Sequence, residues 1–308
     1  MTGISESLGD INGFQLRPRK PGELIDIAIR LAARSVRSLR PVAIALSVPA
    51  ALYGASLATT GTDLIRTDGV AQANSDVRSA LSIVMGLSMF VLLLIAIPVI
   101  VNVHLGKQPM LRESARTSLR KIPALLAFAV VSSIAGFGLV LLSFIPFGIA
   151  AYAIAQVARV VGVVGMILFV PLYLGWSIAI FGITARFQVG FVALLIEKIG
   201  PMSAIKRGFK LSKGRWMHLG VVGFAMTLLT YVVVGAFFGV GWLVYNQLGS
   251  VAAVRAVAFI GGAVAIVVSF FVFAALPAAM YVDSRTRNDA LDLEQLGASL
   301  SDIPSALV

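Results

Sequence analysis

The sequence predicts an all-α polytopic membrane protein: six transmembrane helices with three amphipathic helices on the cytoplasmic side. Three observations carry this. The 308-residue chain is 58% hydrophobic and only 13% charged, whereas soluble domains are roughly 45–50% apolar and about 25% charged. Its apolar residues come in unbroken runs of the roughly 20 residues that a helix needs to cross a hydrocarbon core about 30 Å thick; barrel strands would alternate instead. Finally, 21 of the 25 Lys and Arg residues fall on segments that a six-span path places on one side, which is the bias of cytoplasmic segments.

Residues 1–20 read as a polar tail without the apolar core and cleavage site of a signal peptide. In the helix starting at Pro21, Glu23, Asp26, Arg30, Arg34 and Arg37 share one face, and Leu24, Ala28, Leu31, Ala32, Val36 and Leu39 much of the other. Such a helix is expected to lie in the membrane interface, charges toward water and phosphate. The first span follows from Pro41 to about Thr60. Gly61 to Arg78 is a near-neutral loop, and the second span runs from Ser79 to Val103. A second basic helix carries Arg112, Arg116 and Arg120 one turn apart.

Ile122 to Ala158 holds no charge and is too long for one ordinary span. Pro146 and Gly148 offer a break, giving a third span from Ile122 to Phe144 and a short interfacial or re-entrant piece from Pro146 to Val160. The fourth span is Val161 to Ala185. The basic stretch Arg186–His218 leads to the fifth span, Met217 to Val244. The loop NQLGSVAAVR precedes a sixth span ending near Val282. The membrane domain is thus 21–283, followed by a polar cytoplasmic tail, 284–308, with a short helix at its start. A basic amphipathic stretch precedes a hairpin of spans three times. Either a three-fold pseudo-repeat or the positive-inside rule alone accounts for that.

The net charge of +11 is spent on span flanks, so nucleic acid is not an expected partner. No cysteine is present, which removes disulfides and thiolate metal sites. His104 and His218 sit at span ends without the nearby Glu of a metal motif, and no nucleotide-binding or nucleophile-elbow pattern occurs. No catalytic, cofactor or metal residue is therefore expected. No Asp or Glu lies inside a span, which disfavours ion-coupled transport. The pairs Gly162/Gly165 and Gly235/Gly239 are expected to allow close helix contact. In Arg186–His218, Met202, Ile205 and Phe209 form one stripe and Lys206, Lys210 and Lys213 another. Glu197 is expected to pair with Arg207 or Lys206. The residues expected to meet anionic lipid or a partner are Arg34, Arg112, Arg116, Arg186, Glu197, Lys206, Arg207, Lys210, Lys213 and Arg215, since each cation near an anionic leaflet contributes about 1 kcal/mol.

A span ending in Arg186, then Glu197-x-x-Gly200, Ala204, Arg207, Leu211 and Lys213-Gly-Arg-Trp216 resembles a bacterial, especially actinobacterial, integral-membrane family named after the membrane domain of glycerophosphoryl diester phosphodiesterases. LRPRKPGELIDIAIRL and MYVDSRTRNDALDLEQL fit the same group. The resemblance implies a six-span fold in a bacterial plasma membrane, and the placement of Lys and Arg leads to the expectation that both termini are cytoplasmic. It implies no phosphodiesterase, because that activity belongs to a separate soluble barrel rich in metal-binding His and Glu. The expected function is a non-enzymatic scaffold or accessory subunit for membrane-bound partners in envelope or lipid metabolism. The alternative is a lipid-binding or lipid-translocating protein with an anionic head-group site on the basic face.

Overall fold

A computed structural model describes residues 19–63, 73–108, 110–161, 163–248 and 251–289. Regular structure among them is entirely helical: α1 (Pro21–Ser38), α2 (Arg40–Asp63), α3 (Ala73–His104), α4 (Leu111–Arg120), α5 (Ile122–Val161), α6 (Val163–Ile196), α7 (Pro201–Leu211), α8 (Trp216–Leu248) and α9 (Val251–Asp289). Stretches long and apolar enough to cross a membrane occur in five: Ser79–His104, Ile122–Gln156, Phe169–Ile196, Trp216–Val233 and Phe259–Asp289. The first expected span lies on α2, whose side chains 55–63 are outside the described ones. Of the loops expected at Gly61–Arg78 and Asn246–Arg255, residues 64–72 and 249–250 are outside the described residues, and the remainder is helical.

In order, a short helix is followed by two long ones three times over. Each short helix packs on a long helix of the neighbouring unit: α4 on α3, α7 on α6, and α1 on α9. Direction alternates, so the basic segments gather at one end. There the Ser118 hydroxyl donates to the Leu94 carbonyl at 2.7 Å, and the Asn288 amide to the Leu211 carbonyl at 2.9 Å. Burial concentrates at this end, in Leu94–Val101 of α3, Val189–Leu195 of α6 and Ala274–Val282 of α9. The opposite half exposes large apolar side chains such as Ile134, Ile145, Tyr231 and Ile260, as lipid-facing helices do.

Four expectations need correction. First, α5 is one helix of 40 residues running through Pro146. There is no break into a third span and a re-entrant piece. A proline costs a helix in water about 3 kcal/mol, but in lipid the backbone has no other partner, so the helix continues. Gly162 falls at the α5–α6 junction, outside the described residues.

Second, the apolar face of α1 rests on protein. Leu24, Ala28, Leu31 and Leu39 are fully buried, against α9 and, less extensively, α3 and α8. Amphipathic periodicity specifies an apolar stripe but not whether lipid or a bundle covers it. Val36, expected on that face, is 40% exposed. Third, the short helix expected at the start of the tail is the end of α9. The α9 helix continues to Asp289, with Asp283, Ser284 and Thr286 buried. Fourth, among the described residues Gly235 and Gly239 make no close helix contact: a Cβ on either would have none of their atoms within 4 Å. The close approaches lie at other glycines.

Candidate functional site at the basic end

Small residues on one face of α6 seat both following helices. An added Cβ on Gly208 of α7 would collide with the Arg186 carbonyl and lie 2.7 Å from Gly190 N. One on Gly190 would lie 2.8 Å from the Ala204 carbonyl oxygen. A second seat joins α6 to α8, where a Cβ on Gly220 would collide with the Ile178 carbonyl and lie 3.0 Å from Gly182 N. Only glycine lets backbones approach this closely. The packed face of α7 is thus Ala204, Gly208 and Leu211. The expected apolar stripe is shifted off this face: Met202 is 54% exposed, and Ile205 and Phe209 are half-buried.

This seating brings Arg207 between two carboxylates. Its Nε donates to Glu197 Oε2 at 3.2 Å, and its terminal nitrogens donate to Asp289. Tyr281 OH donates to Glu197 Oε1 at 2.9 Å, and Arg285 Nε to Asp289 Oδ2 at 3.3 Å. Partial burial disfavours the Arg207 charge, yet the Asp289 and Glu197 carboxylates outweigh it and its pKa is raised. The C-termini of α6 and α9 are thereby tied through α7. Nearby, Lys121 Nζ donates to the carbonyls of Leu194, Leu195 and Glu197 at 2.8, 3.0 and 3.1 Å. Those are the groups left without partners at the end of α6. Burial, and then the charge of Lys198, lower the Lys121 pKa.

A second polar cluster holds the start of the described chain to α9. Arg19 N donates to Asp283 Oδ1 at 3.0 Å. Arg287 bridges Asp283, at 2.9 Å from its Nε, and the Arg19 carbonyl. Asp283 is 5% exposed, and so placed that its charge is met on two sides.

Of the ten residues singled out from sequence, Glu197 and Arg207 meet as expected, and their pairing ties the end of α6 to α7. Arg186 lies within α6. Its guanidinium sits 5.2 Å from the Phe209 ring centre and 5.5 Å from that of Trp216, and its buried Nε has no hydrogen-bond partner. Arg34, Arg112, Arg116, Lys206, Lys210, Lys213 and Arg215 are exposed on α1, α4, α7 and the turn after it. They form a basic rim spread over three helices, not a converging cluster.

Sequence reasoning missed Lys121, Tyr281, Asp283, Arg285, Arg287 and Asp289. A signal existed: Tyr281, Arg285 and Asp289 recur every four residues, as do Asp283 and Arg287, which is the helical spacing of ion pairs. No protein-family model, curated protein or solved structure matches the chain. Fold and composition define the class: an all-helical polytopic membrane protein with one polar-locked end.

Proposed function

We propose that this chain is a non-enzymatic protein of a bacterial plasma membrane, with six spans and both termini cytoplasmic, acting as a scaffold or accessory subunit for membrane-bound partners in envelope or lipid metabolism. The observation that carries this is the free flank of α5. Leu126, Val130, Ile134, Phe137, Leu141, Ile145, Ile149 and Tyr152 each expose more than half of their surface, at helical spacings of three and four. Leu126 to Tyr152 spans about 39 Å at 1.5 Å per residue, against a hydrocarbon core of about 30 Å. Lipid alone would cover that length only at a tilt of about 40°, the top of the observed range. A membrane-embedded partner covers it without that tilt. The polar lock supports the same reading, since it holds the helix ends in one arrangement around which a partner can assemble. The resemblance of Arg186–Trp216 to the phosphodiesterase membrane domain agrees with the membrane setting.

A photo-crosslinking residue placed at Ile134, Leu141 or Ile145 in living cells should yield a discrete adduct with another membrane protein. Adducts with lipid alone at all three positions would count against the scaffold reading. Arg186 favours a second reading, an anionic head-group site on the basic face, because the ring-clasped guanidinium has no carboxylate partner. That reading requires Arg186→Gln to lose co-purified anionic lipid, and unchanged retention by native mass spectrometry would remove it.

A further inference from the structure

At the basic end a cavity of about 280 Å³ is built from the end of α3, the connection after it, α4 and the end of α6. Pro98, Met110, Leu195 and Ile196 supply its apolar wall, and Lys107 and Glu113 are among its polar lining. The surroundings are cationic. Lys107 is exposed, and on α4 Glu113 stands beside Arg112 and one turn from Arg116, both exposed.

The α9 helix ends close by. Asp289, its last residue, shares the Arg207 guanidinium with Glu197, and the residue before Glu197 is Ile196 of the cavity wall. The chain that continues from there, 290–308, is outside the described residues, but its sequence is of one sign. It carries Asp292, Glu294 and Asp302 and no Lys or Arg. Leu293, Leu296, Leu300 and Ile303 follow at steps of three, four and three, the period of a single apolar face. The four residues that lead from Asp289 to Leu293 reach about 13 Å when extended. The opposite end of the chain, residues 1–18, sets Arg17 against Glu6 and Asp10, so charge favours the C-terminal segment as the occupant of a basic rim.

We propose that the acidic segment 290–308 folds back over the end of α6 as a strap, with Leu293 seated in the cavity and Asp292 and Glu294 against Lys107, Arg112 and Arg116. The apolar wall takes the leucine, and the cations around it outnumber the single Glu113. Weak contacts suffice, because a short tether holds its ligand at an effective concentration in the millimolar range. The closed strap ties α4 to the ends of α6 and α9 and excludes other solutes from the cavity. It involves neither Arg186 nor the free flank of α5, and is independent of the scaffold reading.

The cysteine-free chain allows a direct test by disulfide trapping in the full-length protein in membranes. Leu293→Cys should form an intrachain disulfide with Met110→Cys faster than with Lys213→Cys. Lys213 is a fair control, since the Asn288 amide donates to the Leu211 carbonyl and the segment starts equally near it. Lys107→Glu should slow trapping at Met110→Cys about two- to fivefold, the equilibrium effect of an exposed ion pair, and Asp292→Lys with Glu294→Lys should restore it in that background. Glu113→Gln should speed it. Equal rates for Met110→Cys and Lys213→Cys, or a rate unmoved by Lys107→Glu, would overturn the proposal. So would a disulfide between two copies, which would make a second chain the occupant, or faster trapping of Met110→Cys by Leu8→Cys, which would make it the N-terminal segment.

Discussion

Gly208→Ala should unseat α7 from α6 and cost upward of about 3 kcal/mol, the severe end of overpacking. The single added carbon meets the Arg186 carbonyl and the Gly190 backbone. Neither can move without shifting a helix, because both belong to the backbone of α6. Gly220→Ala should behave alike, since its Cβ meets the Ile178 carbonyl and Gly182. The informative contrast is Gly235→Ala and Gly239→Ala. Both positions are open, so alanine should be neutral or stabilising by up to about 1 kcal/mol through helix propensity. Unfolding in mixed micelles measures all four. A loss at Gly235 or Gly239 equal to that at Gly208 would mean that the seats are misplaced.

Arg207→Leu should cost about 2–3 kcal/mol. Removing one member of a buried ion pair typically costs 3–5 kcal/mol, and the figure is reduced here because Arg207 and Asp289 retain 21% and 18% exposure, which lets water screen them. Glu197 keeps Tyr281 and Asp289 keeps Arg285, but the ties that hold α7 to the ends of α6 and α9 are gone. Arg207→Lys should recover only part, because an ammonium cannot reproduce the forked contact to two carboxylates. Lys206→Leu, one residue away and exposed, should leave stability within about 0.5 kcal/mol of the parent. A double-mutant cycle between Arg207 and Asp289 should return a coupling of about 1–2 kcal/mol. Strict additivity would place the lock elsewhere.

The helical class, five of the apolar crossings and the Glu197–Arg207 pair were all legible in the sequence, because hydrophobic run length and charge placement are local properties. Three features were not. The continuity of α5 through Pro146 depends on the solvent, since the same proline that ends a helix in water is carried through in lipid. The face of α1 was read correctly as apolar, yet its covering by α9 is a tertiary fact that periodicity does not encode. Of the two glycine pairs expected to pack, Gly235/Gly239 is open, and the packing of Gly162/Gly165 lies outside what is described. GAFFG has the spacing of a packing motif, whereas the working pairs, Gly190 with Gly208 and Gly182 with Gly220, join different helices and leave no spacing signature. Asp283 and Asp289 lay in a stretch read as a polar tail, although their four-residue spacing from Arg287 and Arg285 marks a helix carrying ion pairs.

The central claim is that the basic helices and the polar lock share one side of the membrane, with the α2–α3 connection on the other. Because the chain has no cysteine, single substitutions report accessibility without background. In intact cells Asn74→Cys should react with an impermeant maleimide, while Gln108→Cys and Lys206→Cys should react only after the membrane is opened. Labelling of Lys206→Cys from the same side as Asn74→Cys would contradict the account.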